Sequence, residues 1–223
     1  KQFVVFMIIF LGLSWACSKD EDNLLPVIEP DDSGVFTDAE GREFSWVRYG
    51  NLEWMTTNLN IEASVGSEIS QGTRDPIKLE TEKEQNYVTF GYLYTYEAAK
   101  EVVPEGWRIP TDNDWQELEK AMGMSANELN VSSWRGVSEG TLLQQTEGTK
   151  MNLRMGGMGE YDGYGNFSPY FSYVYGFYWT STPEAEGSNY YYCRQISYKS
   201  GQIARVVVDK SKMLSVRWVR DAT

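Results

Sequence analysis

The stretch Gly106-Trp107-Arg108-Ile109-Pro110-Thr111-Asp112-Asn113-Asp114-Trp115 contains a corner from which much of the surrounding fold can be read. Pro110 disfavours helical geometry in the residue before it, so Ile109 is extended. Thr111 then offers a hydroxyl to the free amide near Asp114. Asp112 and Asp114 place negative charge at the positive end of a helix. Trp115, Leu118 and Met122 follow on one face at helical spacing, and Gly123 supplies the stop. The segment reads as an extended chain turned sharply into an amphipathic helix.

Upstream, Tyr96 to Val103 is a second short helix of good helix formers, ended by Pro104. Farther back, Gly34 to Met55 reads as antiparallel strands. Asp38-Ala39-Glu40-Gly41 supplies one turn and Gly50-Asn51 the next, while Phe44, Trp46 and Arg48 alternate with Ser45, Val47 and Tyr49. Ser64 to Gln85 is polar and irregular, the composition of a long surface loop. Downstream, Ser125 to Glu128 looks like a capping box for one more short turn. From Gly136 the chain is rich in glycine and aromatic residues, and Met155–Gly159 and Asp162–Asn166 cannot be regular helix. Three strands are predicted near the end: Tyr190 to Ser197, Ile203 to Val208 and Leu214 to Arg220. No internal repeat interrupts this order. It predicts one α+β domain over 34–223, with two short helices on small antiparallel sheets and long aromatic, glycine-rich loops.

Composition narrows the function. The 223 residues carry a net charge of -12, so a nucleic-acid partner is not expected. An aromatic fraction of 14% supports a packed core rather than a disordered chain. The chain has no histidine, which removes the Ser-His-Asp triad, the Cys-His pair and the His-based zinc site together. No enzyme activity and no cofactor are expected.

The N-terminal region reads as an address. The apolar run from Phe3 to Leu13 is shorter than the roughly 20 apolar residues of a membrane-crossing helix. It fits a secretory signal, 1–16, with small Ala16 at the cleavage position. Leu13-Ser14-Trp15-Ala16-Cys17 resembles a bacterial lipobox, with bulky Trp15 where a small residue is usual, so Cys17 is the expected lipidation site. Residues 17–33 are charged or rich in Asp and Pro, the composition of a flexible acidic tether. Within it, Lys19, Asp20 and Glu21 resemble the surface-export signal of Bacteroidota-type lipoproteins. A lipid-anchored protein of the outer membrane, facing outward, is the expectation. With Cys17 committed to lipid, Cys193 has no partner and the domain has no internal disulfide.

Five stretches in order carry a further resemblance. They are Trp54-Met55-Thr56-Thr57-Asn58-Leu59, Gly91-Tyr92-Leu93-Tyr94-Thr95-Tyr96-Glu97-Ala98-Ala99, Gly106 to Thr111 with Trp115, Tyr178-Trp179-Thr180-Ser181-Thr182, and Val216-Arg217-Trp218-Val219-Arg220-Asp221. Together they resemble the Fibrobacter succinogenes major paralogous domain, over roughly Thr37 to Asp221. Tyr96 and Trp218 depart from the residues usual in that family. The resemblance implies a C-type-lectin-like fold. Formylglycine-generating enzymes share that fold but use a cysteine pair, and here Cys193 stands alone. The calcium signatures of true lectins are missing. Trp54, Trp107, Trp115 and Trp179 are expected to pack the core, since large aromatics dominate core energetics.

A non-catalytic surface binding module, adhesin-like, with a glycan or protein ligand, is the favoured reading. Its candidate ligand face is Asn189, Tyr190, Tyr191 and Tyr192 with Tyr161 and Tyr164; Tyr170, Tyr173 and Tyr175 lie nearby in sequence. Tyrosine supplies rigid contact area with a polar tip, although alternating tyrosines also fill cores. Glu160, Asp162 and Asn166 gather the hard oxygens calcium prefers, without EF-hand spacing. Glu160 with Asp162 is the one carboxylate pair considered for catalysis. A structural subunit of a surface assembly such as a pilus tip is the alternative.

Overall fold

The computed structural model describes residues 25–69 and 90–223. The leader, Cys17, Lys19, Asp20, Glu21 and most of the polar stretch from Ser64 to Gln85 lie outside them. Three strands open the domain: β1 (Asp32–Thr37), β2 (Glu43–Tyr49) and β3 (Leu52–Met55). Gly41 and Gly50 take the positive φ that the two connecting turns require. β4 (Ser67–Ile69) pairs with β5 (Tyr92–Tyr94), after which Thr95 caps α1 (Tyr96–Glu101) and Thr111 caps α2 (Asp112–Ala121). β6 (Ser133–Arg135) and α3 (Glu139–Leu143) follow. β7 (Met158–Tyr161) and β8 (Phe167–Tyr170) form a hairpin from the glycine-rich stretch. β9 (Tyr175–Pro183), β10 (Tyr190–Ser197), β11 (Ser200–Asp209) and β12 (Val219–Asp221) complete the chain. The result is an α+β domain of small antiparallel sheets, with orders β1-β2-β3-β12 and β6-β11-β10-β9 for the larger two.

Two aromatic clusters make up the core, and neighbouring residues on single strands divide between them. Phe44, Met55, Trp179 and Trp218 belong to one; Val47, Trp54, Tyr178 and Val219 belong to the other. Adjacent side chains on a strand point to opposite faces, so β3 and β9 are buried on both sides. This explains why Trp54-Met55 and Tyr178-Trp179 read as unbroken aromatic or apolar runs rather than as alternation.

Several expectations need correction. The boundary at 33/34 falls too late: Asp32 and Ser33 are in β1, Asp31 N donates to Arg48 O at 2.9 Å, and Ile28 packs on the second cluster. The acidic Asp31 and Asp32 are part of the fold because Asp31 accepts from Gly50 N and Asp32 pairs with Arg48. Among the described residues there are three helices, not two. α3 went unread because Gly140 is a poor helix former, yet a Cβ there would stand 2.2 Å from Gln202 O. Its absence lets α3 press against β11. Leu214 to Arg220 is not one strand. Met213, Leu214 and Ser215 make single bridges to Gly159, Tyr94 and Tyr178 before β12 pairs with β3. That segment is a central seam touching several elements. Ser125–Glu128 forms a turn closed by Ser125 Oγ donating to Glu128 at 2.6 Å.

Candidate binding face and the buried polar frame

The corner at Pro110–Thr111 forms with a reciprocal cap. Asp114 N donates to Thr111 Oγ1 at 3.1 Å, and Thr111 N donates to the Asp114 carboxylate at 2.6 Å. Asp112, one residue into the helix, does more than complement its dipole. Its carboxylate accepts from Arg194 Nη1 at 2.6 Å and from Arg205 at 2.9 Å. Two turns along the same helix, Glu119 accepts from Arg194 Nε and from Arg135 Nη2, both at 2.6 Å. Arg194 and Arg205 are directly opposed on β10 and β11, a like-charge pairing that only intervening carboxylates make tolerable. All five residues are buried, three guanidiniums against two carboxylates. Burial alone would raise the Asp112 pKa, but Arg205 and Arg194 outweigh it and hold the carboxyl below its usual value.

A second buried cation sits in the central seam. Arg217 donates to Asn58 Oδ1 at 2.8 Å, to Met55 O at 2.9 Å, to Met151 O at 2.8 Å and to Asn152 O at 2.7 Å. Desolvation lowers its pKa to about 10, with Tyr178 pulling the other way. Asn58 in turn donates to Phe90 O at 2.7 Å. The other motif residues interlock similarly. Trp179 Nε1 donates to Tyr94 O at 2.7 Å, Trp115 Nε1 to Trp179 O at 3.3 Å, and Ser181 N to Pro110 O at 2.8 Å. Trp54 meets Trp115 edge-on with centroids 5.0 Å apart. All five sequence stretches singled out above thus converge on one interior.

That convergence has a counterpart among known sequences: a family model for the Fibrobacter succinogenes major domain matches residues 47–220. The chain belongs to this family. No curated protein and no solved structure matches it. In this Fibrobacter succinogenes major domain, Trp54, Trp107, Trp115 and Trp179 are core residues, all buried, and the matched span leaves out β1.

The candidate surface residues fare differently from one another. Tyr191 faces inward, its ring 4.2 Å from Tyr96 and in edge contact with Trp179. Tyr192 lies against the Arg205 guanidinium at 3.6 Å, covering the buried ion cluster. Tyr190 is half exposed, and Asn189 O accepts from Lys210 N. Tyr161 donates to Glu68 at 2.8 Å, while Tyr164 stands 94% exposed at the β7–β8 tip. Both tyrosine groups are tied to the turn at 209–213, since Lys212 pairs with Glu160 on β7. Asp162 is occupied by its own turn, accepting from Tyr164 N, Asn166 N and Asn166 Nδ2, bonds that lower its pKa. Asp162 and Asn166 thus hold each other in the hairpin turn, while Glu160 pairs with Lys212. Among the described residues no three His, Cys, Asp or Glu gather closely enough to hold a metal. Cys193 is fully buried, its thiol pushed up to about 12 by desolvation.

The most exposed aromatic ridge joins β8 to β9. Phe171, Tyr173 and Val174 are about half exposed, and Tyr198 lies beside them, its amide directed at Val174 O. Phe171 packs on Tyr170 and Tyr175, and Tyr175 on Trp134. Phe171 and Tyr173 have φ of 66° and 65°, a backbone region that bulky residues rarely enter. Tyr173 N is held by Met155 O at 2.8 Å, and a Cβ on Gly157 would lie 2.5 Å from Tyr170 O. Tyr173 and Tyr175 were visible as candidates in the sequence. Phe171, Trp134 and Tyr198 were not, because only the fold brings 134, 171 and 198 together.

Proposed function

We propose that this chain is a non-catalytic binding module, carried outside the cell by lipid on Cys17 and directed there by Lys19, Asp20 and Glu21. Its ligand face is the ridge Phe171–Val174 with Trp134, Tyr175 and Tyr198; Tyr190 lies at the other end of β10 and is not part of it. The observation that carries this reading is the pair of aromatic residues held in left-handed backbone on an exposed loop. Each such residue costs on the order of 1–3 kcal/mol, and such strain concentrates at ligand-contacting segments. Rigid aromatic area with a few polar tips suits a neutral glycan or a protein surface, and the chain's charge of -12 disfavours an anionic ligand. A non-enzymatic role is supported by the absence of histidine and by the engagement of the buried carboxylates with arginines. A C-type-lectin-like fold is our reading of the architecture, supported by the N- and C-terminal strands sharing one sheet.

The test is a glycan and extracellular-matrix array probed with the chain from Leu25 onward and with Phe171→Ala, Tyr173→Ala. The variant should lose the parent's ligands while still unfolding in one cooperative transition, even if the lost contacts to Phe90 and Phe177 lower its melting temperature. Retained binding in the variant would overturn this choice of face. Labelling with a palmitate analogue tests the anchor, since Cys17→Ala should carry no label.

A further inference from the structure

Lys150 and Asn152 flank Met151 on the chain that follows α3, and both take left-handed backbone, with φ of 55° and 51°. Met151 is fully buried, and Arg217 accounts for the bend, because its guanidinium draws in the Met151 and Asn152 carbonyls. It does not account for the two side chains. Among the described residues Lys150 has no ion-pair partner, and neither end of the Asn152 amide is bonded. Asn152 Oδ1 is shut off from solvent without a hydrogen bond, an unfavourable state for a buried acceptor. Both residues line a pocket of about 390 Å³, within the range of about 300–1,000 Å³ usual for small-molecule sites. Its floor is the first sheet. β1 and β2 set Val35 opposite Ser45 and Ser33 opposite Val47, so these side chains share one face. Thr56, whose amide donates to Ser45 O at 3.0 Å, extends that face, and Thr146 joins Lys150 and Asn152 in the wall. Lys150 carries the only charge among the described lining residues, and the Ser45 and Thr146 hydroxyls are as free as the amide.

We infer that this pocket binds the ring of a sugar acid, a small polyol bearing one carboxylate. Lys150 pairs with the carboxylate. The terminal torsion of asparagine is broad, so a turn of the Asn152 amide presents one donor and one acceptor to neighbouring ring hydroxyls. Ser45 and Thr146 take further hydroxyls, and Val35, 59% exposed, meets the C–H face of the ring. A lone ammonium matches one carboxylate. A polyanion would need more cations, and the chain's charge of -12 repels it at range. The pocket shares no lining residue with the ridge at 171–174, so it is a second site, independent of the face proposed above.

Saturation-transfer NMR of the full chain in detergent, titrated with the methyl glycosides of glucuronate and galacturonate, tests this. At least one should bind saturably, and about tenfold or more tightly than methyl glucoside or methyl galactoside, which lack the charge. Added salt should narrow that difference. Lys150→Gln should bring the uronate down to the level of the neutral glycoside while melting like the parent, since Lys150 is exposed. Asn152→Asp, which sets a second carboxylate against the first, should abolish binding. Phe171→Ala, Tyr173→Ala should leave it intact. Absence of saturable uronate binding, equal affinity for the neutral glycosides, a Lys150→Gln variant that binds like the parent, or loss of the uronate in the ridge variant would overturn the inference.

Discussion

Replacing Glu119 with Gln tests the polar frame most directly, because the substitution changes one oxygen to an amide and almost no volume. Glu119 is fully buried and accepts one short bond from each of Arg135 and Arg194. A glutamine offers one acceptor and one donor, so one guanidinium would face an N–H in place of an oxygen. The buried set would change from three cations against two anions to three against one. Removing one partner of a buried ion pair costs about 3–5 kcal/mol. For a domain of this size each kcal/mol moves the melting temperature by about 2–4 °C, so Glu119→Gln should melt roughly 6–20 °C lower. Tryptophan fluorescence during a thermal or urea melt reads this out. Replacing Glu119, Arg135 and Arg194 together by Leu and Met should cost less than the single change, since it strands no charge except those Asp112 and Arg205 share. A Glu119→Gln variant melting within about 2 °C of the parent would refute the reasoning. It would mean that water or rearrangement already compensates the cluster.

Asn58→Ala should cost about 3 kcal/mol in urea unfolding, because it leaves both Arg217 Nε and Phe90 O short of a partner in the interior. Stability should fall as pH drops below about 4: Asp112 and Asp114 have folded pKa values below their unfolded ones, so their contribution is complete above the unfolded value near 3.9 and lost on acidification through the folded one. A denaturation midpoint that stays flat from pH 5 to the acid limit, about 2, would contradict this. Tyr191→Ala should destabilise by more than 1 kcal/mol, while Tyr190→Ala should stay within about 0.5 kcal/mol; equal melts would mean that the β10 faces are assigned the wrong way round.

Much of the fold was legible because its signals are local. Pro110, Thr111 and the Trp115–Leu118–Met122 stripe specify a corner and a helix with no help from distant residues, and α2 starts and caps as expected. β2, β10 and β11 announce themselves by strand-forming residues between turns. What escaped is what depends on neighbours far along the chain. Gly140 lowers helix propensity but is demanded by Gln202 O, so α3 exists for a tertiary reason. Leu214 to Arg220 has strand composition, yet its partners change from Tyr94 to Tyr178 to Trp54, and no sequence pattern records a change of partner.

The candidate site follows the same division. Asp112 suited a helix N-terminus and Arg194 and Arg205 were ordinary strand residues until β10 and β11 opposed them. With that opposition in place, the tyrosine run on β10 is sorted by physics. Tyr192 must shield the arginines, Tyr191 must fill the aromatic core, and Tyr190 at the strand's end remains half in water. A run that looked uniform therefore divides into lid, core and surface. The ridge at 171–174 is anchored from below, Tyr173 by edge contact with Phe90 and Phe171 by Tyr175 and Phe177, yet both rings stay half exposed in a backbone conformation that costs energy. The ridge packs on Tyr175 and Phe177, whereas Arg194 and its ion pairs lie on the Tyr178 face of the same sheet, so changes on the ridge should leave the ion cluster in place. That separation is what a binding module requires of its scaffold.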